Sequence, residues 1–230
     1  MGRGSSKGMG GGGLMTKTSV TTQDGTVLDL TGNPLTYGAP DATLTGVQRT
    51  MIEAQEKKRE TAKIEYCASY DENGNIIGRE YKGSKGSVRH PYYTIDNDKA
   101  TFTHNHPRGT GQEGVLGGTF SEADIKNFAN NKIRTYRASA AEGTYSISKT
   151  ASFDRHNFKA YYRSVDRQAT STMDATVKSL KADFRAGKIN ARTCNQGIRD
   201  AFNKSLVDLH NGLLAGQKQY GYTYTLEART

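Results

Sequence analysis

The chain has 230 residues, is 34% hydrophobic and 24% charged, and carries a formal net charge of +9 at pH 7, which favours anionic partners. This length suits one domain with extensions or two small domains, and the low apolar fraction indicates that a dense core occupies only part of the chain. Two distant cysteines, Cys67 and Cys194, exclude a disulfide framework and favour a reducing compartment, and no apolar run is long enough to predict a membrane span.

Residues 1–45 predict little regular structure. Positions 1–14 are rich in glycine and serine, which is typical of a flexible arm. Positions 15–46 are rich in threonine, glycine and aspartate, which predicts short extended pieces or an irregular segment that orders against a partner. We therefore expect a flexible glycine-rich arm and an irregular segment ahead of the folded domain.

Residues 46–150 mix helical and strand patterns and form the predicted domain. Ile64, Tyr66 and Ala68 alternate along one face of a strand, and the Asp-Glu-Asn-Gly-Asn run at 71–75 signals a hairpin turn. The predicted elements, in chain order, are helix 44–60 with Thr45 as its N-cap, strands 62–70, 76–81 and 99–104, helix 121–132, and strands 133–138 and 145–148.

Residues 151–230 are mainly helical in pattern. Apolar residues recur every three or four positions, as in Ile198, Phe202 and Leu206, which predicts helices that pack through one face. The predicted helices are 153–168, 171–187 and 191–215, and alternation at 220–226 predicts a final strand. The fold class is therefore α+β, with a mixed sheet, flanking helices and a C-terminal helical region.

Two of the five histidines lie one residue apart in His104-Asn105-His106, at the end of a predicted strand. Residues i and i+2 of a strand point to the same side, so both imidazoles can face one point. Ser121-x-x-Asp124 opens the next predicted helix and can bring a carboxylate to the same place. Two imidazoles, one carboxylate and a fourth position open to water form the ligand set of a catalytic zinc.

Five residues follow one another in the order of a known family motif: Glu65, His104, His106, Ser121 and Asp124. This order, with a proline after the second histidine, resembles the JAB/MPN (JAMM) zinc metalloprotease family, most closely its phage, mobile-element and RadC-like prokaryotic branches. The resemblance covers about residues 60–150 only and implies a JAB/MPN-like fold with layering similar to that of cytidine deaminases. It implies Zn2+ as the cofactor, with His104, His106 and Asp124 as metal ligands. It also implies Glu65 as general acid/base and Ser121 as the hydroxyl that hydrogen-bonds the water or the tetrahedral intermediate.

The resemblance implies a zinc-dependent metallopeptidase or isopeptidase that acts on a protein or peptide, such as a ubiquitin-like protein or a virion protein, in the host cytoplasm or on a virion. An alternative is a structural or interaction protein of a virion or another large assembly, with little or no activity, which docks through the arm and the C-terminal helices. A third interpretation is nucleic-acid binding through the basic helices, although their cations scatter around the helix faces as solvated charges do. No feature favours a membrane partner.

Several assignments keep an alternative. Glu60 also precedes the hairpin turn, and Glu65 is preferred because it lies inside the predicted strand, away from the apolar stripe. Ser121 and Asp124 also form the pattern of a helix N-cap, which needs no metal. Residues 108–120 are longer than the corresponding connection in the family. This glycine-rich insertion predicts a substrate loop or a lid, or else it displaces Asp124.

Other polar residues near the motif have structural interpretations. Histidines at strand ends are often hydrogen-bonded surface groups, so the His104 and His106 pair alone is a weak signal. His90, beside a proline in a loop, is expected at the surface. Cys67 shares a strand face with Glu65 and is expected to be a small buried thiol.

Overall fold

The structure is a computed structural model that describes residues 19–21, 27–29, 34–109 and 115–228. The predicted arm at 1–14 and the centre of the predicted glycine-rich loop, 110–114, lie outside the described residues. Within the described residues the chain forms four α-helices and nine β-strands.

The bounds of these elements follow the chain order. The helices are α1 (Gly46–Lys58), α2 (Glu122–Asn130), α3 (Arg155–Arg185) and α4 (Ala191–Tyr220). The strands are β1 (Ser19–Thr21), β2 (Val27–Asp29), β3 (Pro34–Leu35), β4 (Tyr66–Tyr70), β5 (Tyr81–Lys82), β6 (Thr101–Asn105), β7 (Thr135–Ala140), β8 (Gly143–Lys149) and β9 (Tyr222–Glu227). Each helix begins where a side chain accepts a backbone N–H, and these N-caps are Thr45, Ser121, Asp154 and Asn190.

Six strands form one mixed sheet in the order β5–β4–β6–β7–β8–β9. Within this sheet β6 and β7 are parallel neighbours joined through α2, and the other neighbouring pairs are antiparallel. A parallel pair needs such a crossover because a hairpin reverses the strand direction. β1, β2 and β3 form a separate antiparallel sheet. The predicted α+β class with a mixed sheet and helices is confirmed.

One face of the six-stranded sheet carries the main hydrophobic core. Phe102, Tyr136 and Ile147 are register partners on adjacent strands, so their side chains share this face. Phe158 of α3 and Leu213 of α4 belong to the same buried cluster. Each fully buried side chain of this size contributes about 1.5–3 kcal/mol, so apolar contact holds these helices on the sheet.

The opposite, polar face is also buried, and it carries a network of charged groups beside a small apolar cluster that includes part of α1. Arg137 of β7 is 1% exposed and donates hydrogen bonds to Glu56 of α1 and Glu227 of β9 at 2.8–3.0 Å. Asp41 accepts hydrogen bonds from two serine hydroxyls of β8 at 2.7 Å each. These four charged groups therefore all have the hydrogen-bonding partners that buried charges require.

The predicted helices at 153–168 and 171–187 are one continuous helix, α3, which is about 46 Å long. The predicted break was wrong because no glycine or proline interrupts the helix, and Ala169, at that position, is buried.

The predicted return strand at 76–81 is also shorter than expected. It consists of a single bridge between Tyr70 and Ile76 and of the short strand β5. Gly78 adopts a φ of +80°, a left-handed conformation that interrupts the extended backbone between them.

The predicted final strand at 220–226 is confirmed as β9, which pairs with β8 at the edge of the six-stranded sheet. Residues 151–230 thus supply both an edge strand and two helices that contribute to the main core. Beyond the core α3 and α4 continue as a hairpin whose residues 170–193 are mostly exposed. None of the described helices combines the length and the apolarity that a membrane crossing requires.

Candidate metal centre

The two histidines of the predicted motif lie at the C-terminal end of β6, in the middle of the sheet. β6 pairs with β4 and β7, so His104 lies opposite Cys67 and beside Ala138. The backbone N–H of His106 extends this pairing by donating to the carbonyl of Ser139 at 2.7 Å. Pairing on both sides orders the backbone, and the two-residue repeat of a strand turns both imidazoles to the face of the main core.

Asp124 reaches the same place from the first turn of α2. Its Oδ2 accepts hydrogen bonds from the N–H and the hydroxyl of Ser121 at 2.9 and 2.6 Å, and the Ser121 Oγ accepts the N–H of Asp124 at 3.2 Å. This is a capping box, the structural alternative proposed for these two residues. The cap and the cluster coexist because Oδ1 faces His104.

Potential ligand atoms of three side chains converge at this point. The Nε2 atoms of His104 and His106 are 2.9 Å apart, and Asp124 Oδ1 lies 3.5 Å from His104 Nε2. Asp124 Oδ2 lies 3.9 Å from His106 Nε2. The His104 side chain is only 3% exposed, whereas His106 and Asp124 are 12% and 14% exposed, so the cluster is shielded but reachable from one side. Among the described residues these three form the one group of His, Cys, Asp and Glu side chains that could hold a metal ion.

A contact on the far side of the His106 ring determines which of its nitrogens faces the cluster. The Nδ1 of His106 lies 2.9 Å from the carbonyl of Gly118, and this nitrogen carries the proton because a carbonyl can only accept. The Nε2 of His106 therefore carries a lone pair, which is directed at His104. The Nδ1 of His104 meets no acceptor with good hydrogen-bond geometry in the described part of the chain, although the backbone of Arg137 interacts weakly with this ring.

Buried side chains hold the second half of the 108–120 insertion one residue at a time. The contacts are Leu116 N–H to Asn203 (3.1 Å), Gly117 and Gly118 N–H to Glu142 (2.8 and 2.7 Å), the Tyr224 hydroxyl to Thr119 (2.9 Å) and the Tyr162 hydroxyl to the Phe120 carbonyl (3.0 Å). These partners come from α3, α4, β9 and the β7–β8 turn. The long connection therefore does not displace Asp124, because distant elements fix its C-terminal half.

Glu65 lies one residue before β4, on the same side of the sheet as the histidines. The amide of Asn105 accepts the N–H of Tyr66 at 2.7 Å and donates to the carbonyl of Ile64 at 3.0 Å, so it holds the backbone on both sides of Glu65. Glu65 is partly buried and interacts electrostatically with His104 and with the Asp124 carboxylate.

The alternative glutamate lies elsewhere. Glu60 lines an open cavity of about 460 Å³ on the polar face of the sheet, together with Glu56 and Arg137. The two glutamates that the sequence left open as acid/base candidates are therefore on opposite sides of the sheet.

Charge interactions polarise the cluster. Burial disfavours both charged forms, but the mutual attraction of Asp124 and His104 lowers the pKa of Asp124 and raises the pKa of His104. Burial, together with the charge on His104, lowers the pKa of His106 to about 4. Burial raises the pKa of Glu65, with Asp124 adding to this effect and His104 opposing it. These shifts favour an ionised carboxylate at Asp124, a neutral imidazole at His106 and a proton on His104, and a cation between the three side chains would replace that proton.

Two further residues near the motif are buried. Cys67 is buried as expected, and burial raises its pKa to about 12, so the thiol is a poor metal ligand. His90 was expected at the surface, and this prediction was wrong. Its ring packs against Tyr81, Tyr92 and Phe102, and burial lowers its pKa to about 4.

Several residues that shape the site were missed in the sequence. Asn105 could have been noticed, because a polar residue at the end of a buried strand needs hydrogen-bonding partners. No local sequence pattern indicated a role for Glu142 or Asn203. A glutamate before a glycine is typical of an ordinary turn, and an asparagine in a helix is typically solvated.

No protein-family model, curated protein or solved structure matches this chain.

Proposed function

We propose that this protein is a zinc-dependent metallopeptidase or isopeptidase whose central domain is JAB/MPN-like. The observation that carries the proposal is the convergence of His104, His106 and Asp124, with Glu65 on the same side of the sheet. The order of these residues in the chain, which resembles the JAB/MPN motif, gives further support.

The donor set fits zinc in number, type and spacing. Tetrahedral zinc with bonds of about 2.0–2.2 Å to nitrogen and oxygen keeps its ligand atoms about 3.3–3.5 Å apart. His104 Nε2 lies 2.9 Å from His106 Nε2 and 3.5 Å from Asp124 Oδ1, and Asp124 Oδ2 lies 3.9 Å from His106 Nε2. These separations lie on both sides of the tetrahedral spacing, and they involve both carboxylate oxygens, of which one would be the ligand. Three protein ligands leave the fourth position open, as catalytic zinc sites do.

When bound, zinc would supply Lewis acidity, which polarises the scissile carbonyl and brings the pKa of a water toward neutrality. The Glu65 carboxylate, with its raised pKa, is suited to take the proton of the attacking water and to give it to the leaving amine. The Ser121 hydroxyl donates to Asp124 Oδ2 at 2.6 Å, so it orients a ligand carboxylate, and it would have to rotate to hydrogen-bond an oxyanion.

Two glutamine variants test the proposal. The zinc-loaded protein is incubated with a library of linear peptides and of peptides branched through a lysine ε-amide, and cleavage is followed by mass spectrometry. We expect Glu65→Gln to reduce cleavage by about 10²–10⁴-fold without loss of zinc, because it removes the proton carrier and leaves the ligands. Glu60→Gln is the matched control and should retain activity. Equal activity of Glu65→Gln and the wild type would contradict the assigned role.

A second candidate is a structural or interaction protein of a large assembly whose JAB-like domain has little or no activity. The exposed hairpin of α3 and α4 favours it, because residues 170–193 extend beyond the core and Phe184 is 45% exposed. Co-sedimentation with a large complex, in a zinc-loaded protein that cleaves no peptide, would select this function over the first.

A further inference from the structure

A buried carboxylate lies behind the metal centre, in the turn between β7 and β8. Glu142 is fully buried and accepts three hydrogen bonds, from the N–H groups of Gly117 and Gly118 and from the hydroxyl of Tyr145 at 2.7 Å. The hydroxyl of Tyr37 donates a hydrogen bond to the backbone carbonyl of Glu142 at 2.5 Å. A carboxylate removed from water is costly unless donors replace the water, and here backbone donors of the insertion do so.

One of these donors connects Glu142 directly to the cluster. Gly118 donates its N–H to Glu142 at 2.7 Å, and its carbonyl accepts the Nδ1–H of His106 at 2.9 Å. The conformation suits only glycine, because φ is +87° and an added Cβ would lie 2.8 Å from the side chain of Leu206. Two hydrogen bonds through one residue thus lead from the Glu142 carboxylate to the imidazole.

We propose that Glu142 is a positioning residue for the metal ligand His106. It clamps the N–H groups of Gly117 and Gly118, so that the Gly118 carbonyl receives the Nδ1 proton and the Nε2 lone pair stays directed at the cluster. Such partners of metal-bound histidines fix the ring and its tautomer. The inference rests on the proposed metal function and adds a residue, far from the motif in sequence, that sets the ligand geometry.

The neighbouring anchors provide controls. Asn203 accepts the N–H of Leu116 at 3.1 Å, two residues before Gly118, whose carbonyl receives the His106 proton. Tyr145→Phe removes the third donor to Glu142 and keeps both backbone hydrogen bonds of the clamp. If these anchors only held the loop in place, substitutions at Asn203 and at Glu142 would have equal effects on zinc binding. If Glu142 positions His106, only the substitution at Glu142 should weaken zinc binding.

The test compares Glu142→Gln and Glu142→Asp with Tyr145→Phe and Asn203→Ala. Zn2+ affinity is measured by competition with a chromophoric chelator, and the His106 tautomer is measured by imidazole 15N NMR in the zinc-free protein. We expect Zn2+ affinity to fall by about 10–100-fold in Glu142→Gln, less in Glu142→Asp and little in the two controls. We also expect the Nδ1-protonated tautomer to dominate in the wild type and to be mixed in Glu142→Gln.

The two readouts separate the inference from the proposed function. A wild-type protein that binds no zinc refutes the metal function, while the tautomer still decides whether Glu142 positions His106. Wild-type affinity and an unchanged tautomer in Glu142→Gln would overturn the inference. If both Glu142 variants fail to fold, the His106 tautomer of the wild type is the test. A wild-type His106 ring without a proton on Nδ1 would contradict the proposed positioning.

Discussion

The two faces of the central sheet bury charge in different ways. On the polar face Arg137 makes four hydrogen bonds to Glu56 and Glu227, and Arg49 lies 3.5 Å from Glu227, so each of these two carboxylates has an arginine partner. On the core face His104 and His106 turn their Nε2 atoms toward each other and toward Asp124, at distances of 2.9–3.9 Å.

The difference lies in what each cluster still requires. The polar network is complete, because guanidinium donors meet carboxylate acceptors in the geometry that both prefer. The core-face cluster has three acceptors around one point and only a proton to share between them, which is the condition under which a cation stabilises a site. Carboxylates that are hydrogen-bonded to arginines indicate a structural role, and acceptors that converge on one point indicate a site that could bind a cation.

Removing the centre of the polar network should have the largest effect. Arg137→Ala leaves Glu56 and Glu227 buried without their partner, so we expect the free energy of unfolding to fall by about 3–5 kcal/mol. Urea denaturation measures this loss. The zinc content of the folded fraction should not change. Loss of zinc from the folded Arg137→Ala protein would show that the two faces are coupled.

Zinc should stabilise the protein through the core face alone. At a free zinc concentration of 100 times Kd, binding to the native state adds about 2.7 kcal/mol to the free energy of unfolding. We expect Asp124→Asn to lose this increment and Glu56→Gln, on the polar face, to keep it. Urea titrations with zinc and with a chelator give both increments, and stabilisation of Asp124→Asn by zinc would contradict the assignment of that ligand.

His90 sharpens the comparison, because it is a buried imidazole on the core face without a carboxylate. Its pKa of about 4 in the folded protein lies below the ordinary value of 6.5. The unfolded chain therefore binds the extra proton first, and stability falls as the pH drops from 6.5 toward 4. Between pH 7 and pH 5 this group should cost about 2 kcal/mol.

The variant His90→Phe should remove this part of the pH dependence. The phenyl ring keeps the contacts with Tyr81, Tyr92 and Phe102 but binds no proton. Urea denaturation at several pH values between 5 and 7 compares the slopes. Identical slopes for the variant and the wild type would mean that burial does not hold this imidazole neutral.

The smallest effect comes from the helix caps on the two sides of the sheet. Ser121→Ala and Thr45→Ala each remove a side-chain acceptor from a helix N-terminus, and each should cost about 1 kcal/mol of stability. Ser121 also holds Oδ2 of Asp124, so its variant alone should weaken zinc binding. Isothermal titration with Zn2+ measures the affinity of both variants. Equal affinities would mean that Ser121 acts only as a helix cap.

The elements of the sheet could be predicted because local patterns determine them. The alternation before the hairpin turn, the histidine pair at the end of β6 and the Ser-x-x-Asp cap of α2 are all short-range signals. The break in α3 was predicted wrongly because the apolar stripe alone does not reveal whether two segments are continuous, and Gly78 ended a strand that its neighbours favoured.

The convergence of the three side chains of the candidate site was predicted, and the residues that support them were missed. His104, His106 and Asp124 come from one strand and the helix after it, so sequence spacing brings them together. Glu142 and Asn203 act across the fold, 24 or more residues from the backbone groups that they bind. No local pattern reveals such contacts, because they depend on how α4 and the β7–β8 turn pack against residues 116–118.

Metal content by elemental analysis, for the wild type and for His104→Ala purified without chelator, tests the central claim most directly. The account predicts about one zinc per chain in the wild type, because three protein ligands define one tetrahedral site, and almost none in the variant. Absence of metal from the wild type, or equal zinc in both proteins, would contradict it.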